Sequence, residues 1–169
     1  MTKGANWHCL IETLWDSAQV GLKEGRPGNA FEDAKAVIVL LPGLARSIMF
    51  CGMCMAPLGL PERALVMLRR AHAADPRDVL VMTRLSEAFY ANGRFAEAEI
   101  SIRNALRGGV AEGAGLFLLA QTLWLQGSND AARDALDQAV KATPALQAKR
   151  QIMEYTVTPE DFLPHDQDP

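Results

Sequence analysis

Histidine and cysteine are scarce in this chain, three of each in 169 residues. His8, His72 and His165 lie far apart in the sequence, and each reads as a surface or boundary residue rather than a catalyst. An odd number of cysteines fits a reducing compartment better than a disulfide framework. Basic side chains do not predominate: 17 Lys and Arg against 20 Asp and Glu leave a net charge of −3. With no basic patch in the chain, a nucleic-acid partner is not expected. Long apolar runs are also missing. The longest, AVIVLLPGLA at 36–45, is about half of the ~20 residues that a membrane-spanning helix needs, and it contains a proline. The opening MTKGANWHCLIETLW has no apolar core ahead of a small-residue cleavage site and does not read as a secretory leader. GRPGNA at 25–30 is an inter-helix turn without a preceding strand, so it is no phosphate loop. No Ser, His and Asp motif sets a nucleophile beside a base. The expectation is a cytoplasmic protein with no catalytic residues, no cofactor and no metal site, whose work is binding.

What the chain does have is a period. Hydrophobic residues make up 49% and charged residues 22%, a normal globular composition at the size of a single domain. Glycines recur at 25, 59, 93 and 127, and alanines at 30, 64, 98 and 132. Pro42, Pro76 and Pro144 keep the same 34-residue step, with Val110 in the remaining slot. Ala71, Ala105 and Ala139 share it, preceded by Leu68, Ile102 and Leu136, and Cys51, Leu85 and Leu119 form a further set. Several residue classes in one phase without an insertion indicate a helical repeat. In each unit a glycine ends helix A, where a left-handed backbone is needed. Helix B follows, with Pro27 and Pro61 at its first turn in two units, and Ser128, Asn129 and Asp130 offering capping oxygens in another. The small alanines let the two helices approach, and Pro42, Pro76 and Pro144 stop helix B. The predicted units are 11–44, 45–78, 79–112 and 113–146.

Gly59, Ala64, Ala71 and Pro76, then Gly93, Ala98 and Ala105, then Gly127, Ala139 and Pro144 resemble the tetratricopeptide repeat. Gly52, Ser86 and Ala120 fit its small residue midway along helix A. Ile48, Met82 and Leu116 stand where the family often has tryptophan. In the first unit Gly21 replaces a large packing residue and Ser17 an expected leucine. The resemblance implies an all-α fold: a right-handed superhelix of antiparallel helix pairs with a C-terminal capping helix. One domain is expected over 1–157, with the closing helix at about 146–157 covering the last apolar face. Residues 158–169 are expected to form an acidic, mobile tail.

In this register MFCGMCM at 49–55 is the middle of a helix A. Cys51 and Met55 fall on packing positions, so Cys51-x-x-Cys54 reads as core and not as a metal or redox pair. The resemblance also assigns an inner, concave surface to the other side of the A helices. Its positions are Trp15, Met49, Met53, Leu80, Thr83, Glu87, Tyr90, Phe117, Gln121 and Trp124, with Glu12, Gln19, Leu22, Arg46, Ala114 and Leu125 beside them. Exposed aromatics and methionines along one groove suit a protein partner with an apolar or amphipathic segment. The C-terminal helix, or Phe162 and Leu163 of the tail, are competing occupants. A clamp for carboxylate chain ends is not expected, because Arg46 is the one basic groove residue, with Lys23 at its edge. Val37, Ile38, Val39, Leu40 and Leu41 make an all-apolar stretch of helix B, expected to be covered by residues 1–10, by a second copy in a homodimer, or by a partner. The overall plan resembles the small tetratricopeptide chaperones of bacterial type III secretion. A structural scaffold subunit is the alternative.

Overall fold

Glycine at every thirty-fourth position marks the turn from which the architecture is built. In a computed structural model, which describes residues 3–156, Gly25, Gly59, Gly93 and Gly127 have φ of 71°, 76°, 71° and 79°. A side chain is strained in that region, so glycine closes the preceding helix. The following residue donates its N–H five positions back: Arg26 to Gly21 O at 2.7 Å, Leu60 to Met55 O at 3.1 Å, Arg94 to Phe89 O at 2.9 Å and Ser128 to Leu123 O at 3.0 Å. These are Schellman closures, and the donor residue of each is also the N-cap of the next helix.

The helices follow from that turn. They are α1 (Lys3–Lys23), α2 (Pro27–Leu40), α3 (Ala45–Met55), α4 (Pro61–Ala74), α5 (Val79–Ala91), α6 (Phe95–Arg107), α7 (Glu112–Leu125), α8 (Asn129–Ala142) and α9 (Gln147–Thr156). A 3-10 turn at Pro144–Leu146 precedes α9. The second helices of the pairs begin at 27, 61, 95 and 129, a constant step of 34, and there is no strand among the described residues. Pro27 and Pro61 open α2 and α4, as expected. Ser128 is the N-cap of α8 but makes no side-chain capping bond. Its ψ of 60° is set by the Schellman turn and lies outside the extended region from which a hydroxyl reaches the first-turn N–H groups.

The periodic residues are the core. Ala30, Ala64, Ala98 and Ala132 are buried, and so are Ala71, Ala105 and Ala139, with Leu68, Ile102 and Leu136. Gly52 shows why the middle of helix A is small. A Cβ there would stand 3.1 Å from Ala64 O and from Leu68 Cγ. At the equivalent Ser86, the hydroxyl donates to Ala98 O at 2.9 Å. The first pair departs from expectation in two ways. α1 starts at Lys3, eight residues before the predicted unit, and Gly21 is not a missing packing residue. It is a contact point, where a Cβ would meet Ala30 Cβ at 3.2 Å.

The chain divides into two compact units, residues 1–110 and 111–169. In the first, α2 packs on both α1 and α3, and α4 on both α3 and α5. This accounts for much of Val37 to Leu41, the apolar stretch expected to need a cover. Val37 is buried and Ile38 packs on the cluster of Ala30 and Ala34, while Leu40 and Leu41 are half-buried. The chain's own neighbours cover both flanks of α2, so its apolar character belongs mainly to the core. Only Val39, 78% exposed, points away. In the second unit α9 packs on α8, and Met153 is buried. Phe162 and Leu163 lie outside the described residues.

Candidate functional site

Three A helices of the first unit, α1, α3 and α5, wall an apolar cleft of about 280 Å³. α1 contributes Trp15, Gln19, Leu22 and Lys23, spaced so that three turns of one helix face share the cleft. α3 contributes Met49, Phe50 and Met53, and α5 contributes Leu80 and Arg84. The floor is fixed by packing. Met49 is only 2% exposed, and the Phe50 ring lies 5.1 Å from that of Trp15, tilted by 40°. Trp15, Leu22 and Met53 are half-buried, and Leu80 is 39% exposed. These are the apolar groups that an incoming chain can touch.

Two further clefts adjoin it. Ile11, Glu12, Trp15, Asp16, Leu44 and Arg46 line one of about 620 Å³. Arg46, Asp75, Arg77, Asp78, Val79, Leu80 and Val110 line another of about 500 Å³. Trp15 and Leu80 are shared with the central cleft, and Arg46 joins the outer two. An ion pair sets the distance between two of the walls: Arg46 Nε on α3 donates to Asp78 Oδ2, the N-cap of α5, at 2.8 Å. Burial alone would push the Asp78 carboxyl up. The Arg46 guanidinium and the N–H groups of Val81 and Leu80 outweigh it and hold the carboxyl below its ordinary value.

Of the expected groove residues, Trp15, Met49, Met53 and Leu80 come together here, with Gln19 and Leu22. Thr83, Glu87 and Tyr90 are not part of this cleft. The Thr83 hydroxyl donates to Val79 O at 2.8 Å, Glu87 accepts from Arg84, and the Tyr90 ring packs edge-on against Phe95 at 5.8 Å. Met49 and Trp124 are corrections as exposed anchors. Met49 belongs to the buried cluster with Leu65 and Leu85, and Trp124, in the second unit, is 9% exposed. Phe117 and Gln121 are half-buried in that unit, and Lys149 of α9 holds its ammonium 5.8 Å from the Phe117 ring centre. Sequence reading missed Phe50 and Arg84. Arg84 lies one turn after Leu80, which was the available signal.

Cys51 and Cys54 sit on the buried side of α3. Burial, with Cys51 and Asp33 nearby, pushes the Cys54 thiol up to about 12, so it stays a neutral packing group. Among the described residues no three of His, Cys, Asp and Glu are grouped to hold a metal ion, and no helix is long and apolar enough to cross a membrane.

A family model, the tetratricopeptide repeat, matches residues 58–109 and 83–146, which together cover more than half of the chain. Curated proteins give no match. Solved structures share the fold. A thermophilic TPR protein of Thermus thermophilus is 21% identical with a TM-score of 0.75, over 86% of this chain and 80% of its own. MamA from Desulfovibrio magneticus RS-1 is 16% identical with a TM-score of 0.74, over 90% and 86%. YrrB, a TPR protein with an unusual peptide-binding site, is 17% identical with a TM-score of 0.68, over 83% and 74%.

Proposed function

The chain belongs to the tetratricopeptide repeat family, and from that premise we propose that it is a protein-binding module whose central cleft holds an apolar segment of a partner. The observation that carries this is the convergence of Trp15, Leu22, Met53 and Leu80 from three helices into one cleft. Side chains of that kind at a surface gain from being covered, and Met53 adapts its shape to different occupants. The peptide-binding site of YrrB, a structure of the same fold, supports the choice of a peptide as occupant.

In its finer form the module is a cytosolic chaperone or adaptor that keeps the partner's apolar segment out of water until it is handed on. The small chaperones of type III secretion have this plan of repeats followed by a closing helix. A second reading, a scaffold subunit held through its outer faces, is favoured by one observation. Val66 on α4 and Ile100 on α6, 34 residues apart, are 57% and 62% exposed.

The test is capture from the native host with three baits: wild type, a Met53→Ser, Leu80→Ser variant of the cleft, and a Val66→Ser, Ile100→Ser variant of the outer face. Partners lost only with the cleft variant, while its helicity and melting stay those of wild type, support the chaperone or adaptor. Partners lost only with the outer-face variant overturn it in favour of the scaffold.

A further inference from the structure

We propose that the segment held in the central cleft is acidic as well as apolar, presenting an internal glutamate or aspartate side chain beside its large apolar residues. This rests on the assignment of that cleft as the binding site and adds the charge of its occupant. The cleft has a sign of its own. Although the chain carries a net charge of −3, among the described residues no acidic side chain lines this cleft, and both of its ionisable lining residues, Lys23 and Arg84, are cationic.

Neither cation is used up by the fold. Lys23 is exposed at the end of α1, and no acidic side chain pairs with it among the described residues. Arg84 is half-engaged. Its Nη1 donates to both carboxylate oxygens of Glu87, at 3.0 and 2.8 Å, while its Nε–H is shut from solvent without an acceptor. A guanidinium donor in that state gains by turning onto a carboxylate, which accepts two parallel N–H bonds. Low-dielectric walls from Trp15, Met53 and Leu80 strengthen such a pair. At about 280 Å³ the cleft is at the low end for ligand sites, with room for a side chain or two. The occupant is therefore a short stretch of chain and not a folded surface.

The experiment titrates the full chain into fluorescein-labelled peptides, three of them C-terminally amidated, and reads anisotropy. Three peptides share a central Phe-Leu pair flanked by glutamates, glutamines or lysines, and a fourth has the glutamine sequence with a free chain end. The glutamate peptide is expected to bind roughly ten-fold more tightly than the lysine peptide at low salt. That preference should shrink as salt rises and fall sharply in Lys23→Glu and Arg84→Gln. Lys23 is exposed, so its variant decides the matter even if Arg84→Gln melts early. Equal binding of glutamate and lysine peptides overturns the proposal and leaves the apolar cleft standing. So does a preference untouched by Lys23→Glu. Binding of the free-ended glutamine peptide as tight as that of the glutamate peptide reassigns the carboxylate to a chain end and also overturns it. If none of the four binds, the cleft itself is misassigned and both proposals fall.

Discussion

Asp78 and Arg46 join the start of α5 to α3 through one carboxylate used twice. Oδ2 accepts from Arg46 Nε at 2.8 Å, and Oδ1 accepts from the N–H groups of Leu80 and Val81 at 2.9 and 3.3 Å. The same side chain thus caps a helix and sets the separation of two cleft walls. Asp78→Ala is expected to lower stability by about 1–2 kcal/mol, the usual cost of losing a cap. Asp78→Asn keeps an acceptor for the cap and should lose less. Chemical denaturation of both variants measures the difference.

The sign of the pH effect follows from the direction of the shift. The folded Asp78 carboxyl lies below its ordinary value of 3.8. Its contribution is therefore complete above that value and is lost as pH falls through the folded one. Stability curves of wild type and Asp78→Asn should run parallel at neutral pH and converge in acid. A constant gap down to the folded value would show that the ion pair contributes nothing.

The turn glycines make a contrast within one chain. Gly59 has φ of 76° and open space around its Cα. Gly59→Ala is therefore expected to cost about 1 kcal/mol from backbone conformation alone. Gly28 also has open space but ordinary helical backbone in the first turn of α2, so Gly28→Ala should be neutral or stabilising by about 0.4–1 kcal/mol. A loss of stability for Gly59→Ala with none for Gly28→Ala in paired urea titrations is the expected result.

Much of the architecture was legible because it rests on residues with few substitutes. Glycine at positive φ, alanine between close helices and proline at a helix start each carry their reason with them. The packing positions of Cys51, Leu85 and Leu119 followed from the same phase. The cleft was less legible, because periodicity says which positions face inward but not how deep each lies. Met49 and Met53 are one turn apart on α3, yet Met49 belongs to the buried cluster and Met53 remains half-exposed. α2 was ambiguous for a related reason. An all-apolar helix resembles an uncovered surface until its neighbours are known, and α1 begins early enough to pack along it.

That difference in depth separates two large groove residues by experiment. Trp124 is 9% exposed, so Trp124→Ala is expected to act as a core truncation and cost about 3 kcal/mol or more. Binding per folded molecule should then be little changed. Leu80 is 39% exposed, and Leu80→Ala should cost well under about 2 kcal/mol of stability, because part of the side chain already meets water. Its effect should appear instead in affinity for an apolar peptide, weakened by roughly ten-fold if Leu80 is an anchor. Thermal melts and peptide titrations on the same two variants decide it. Should Trp124→Ala weaken binding without loss of stability, the burial of Trp124 does not hold in solution and the binding surface includes α7.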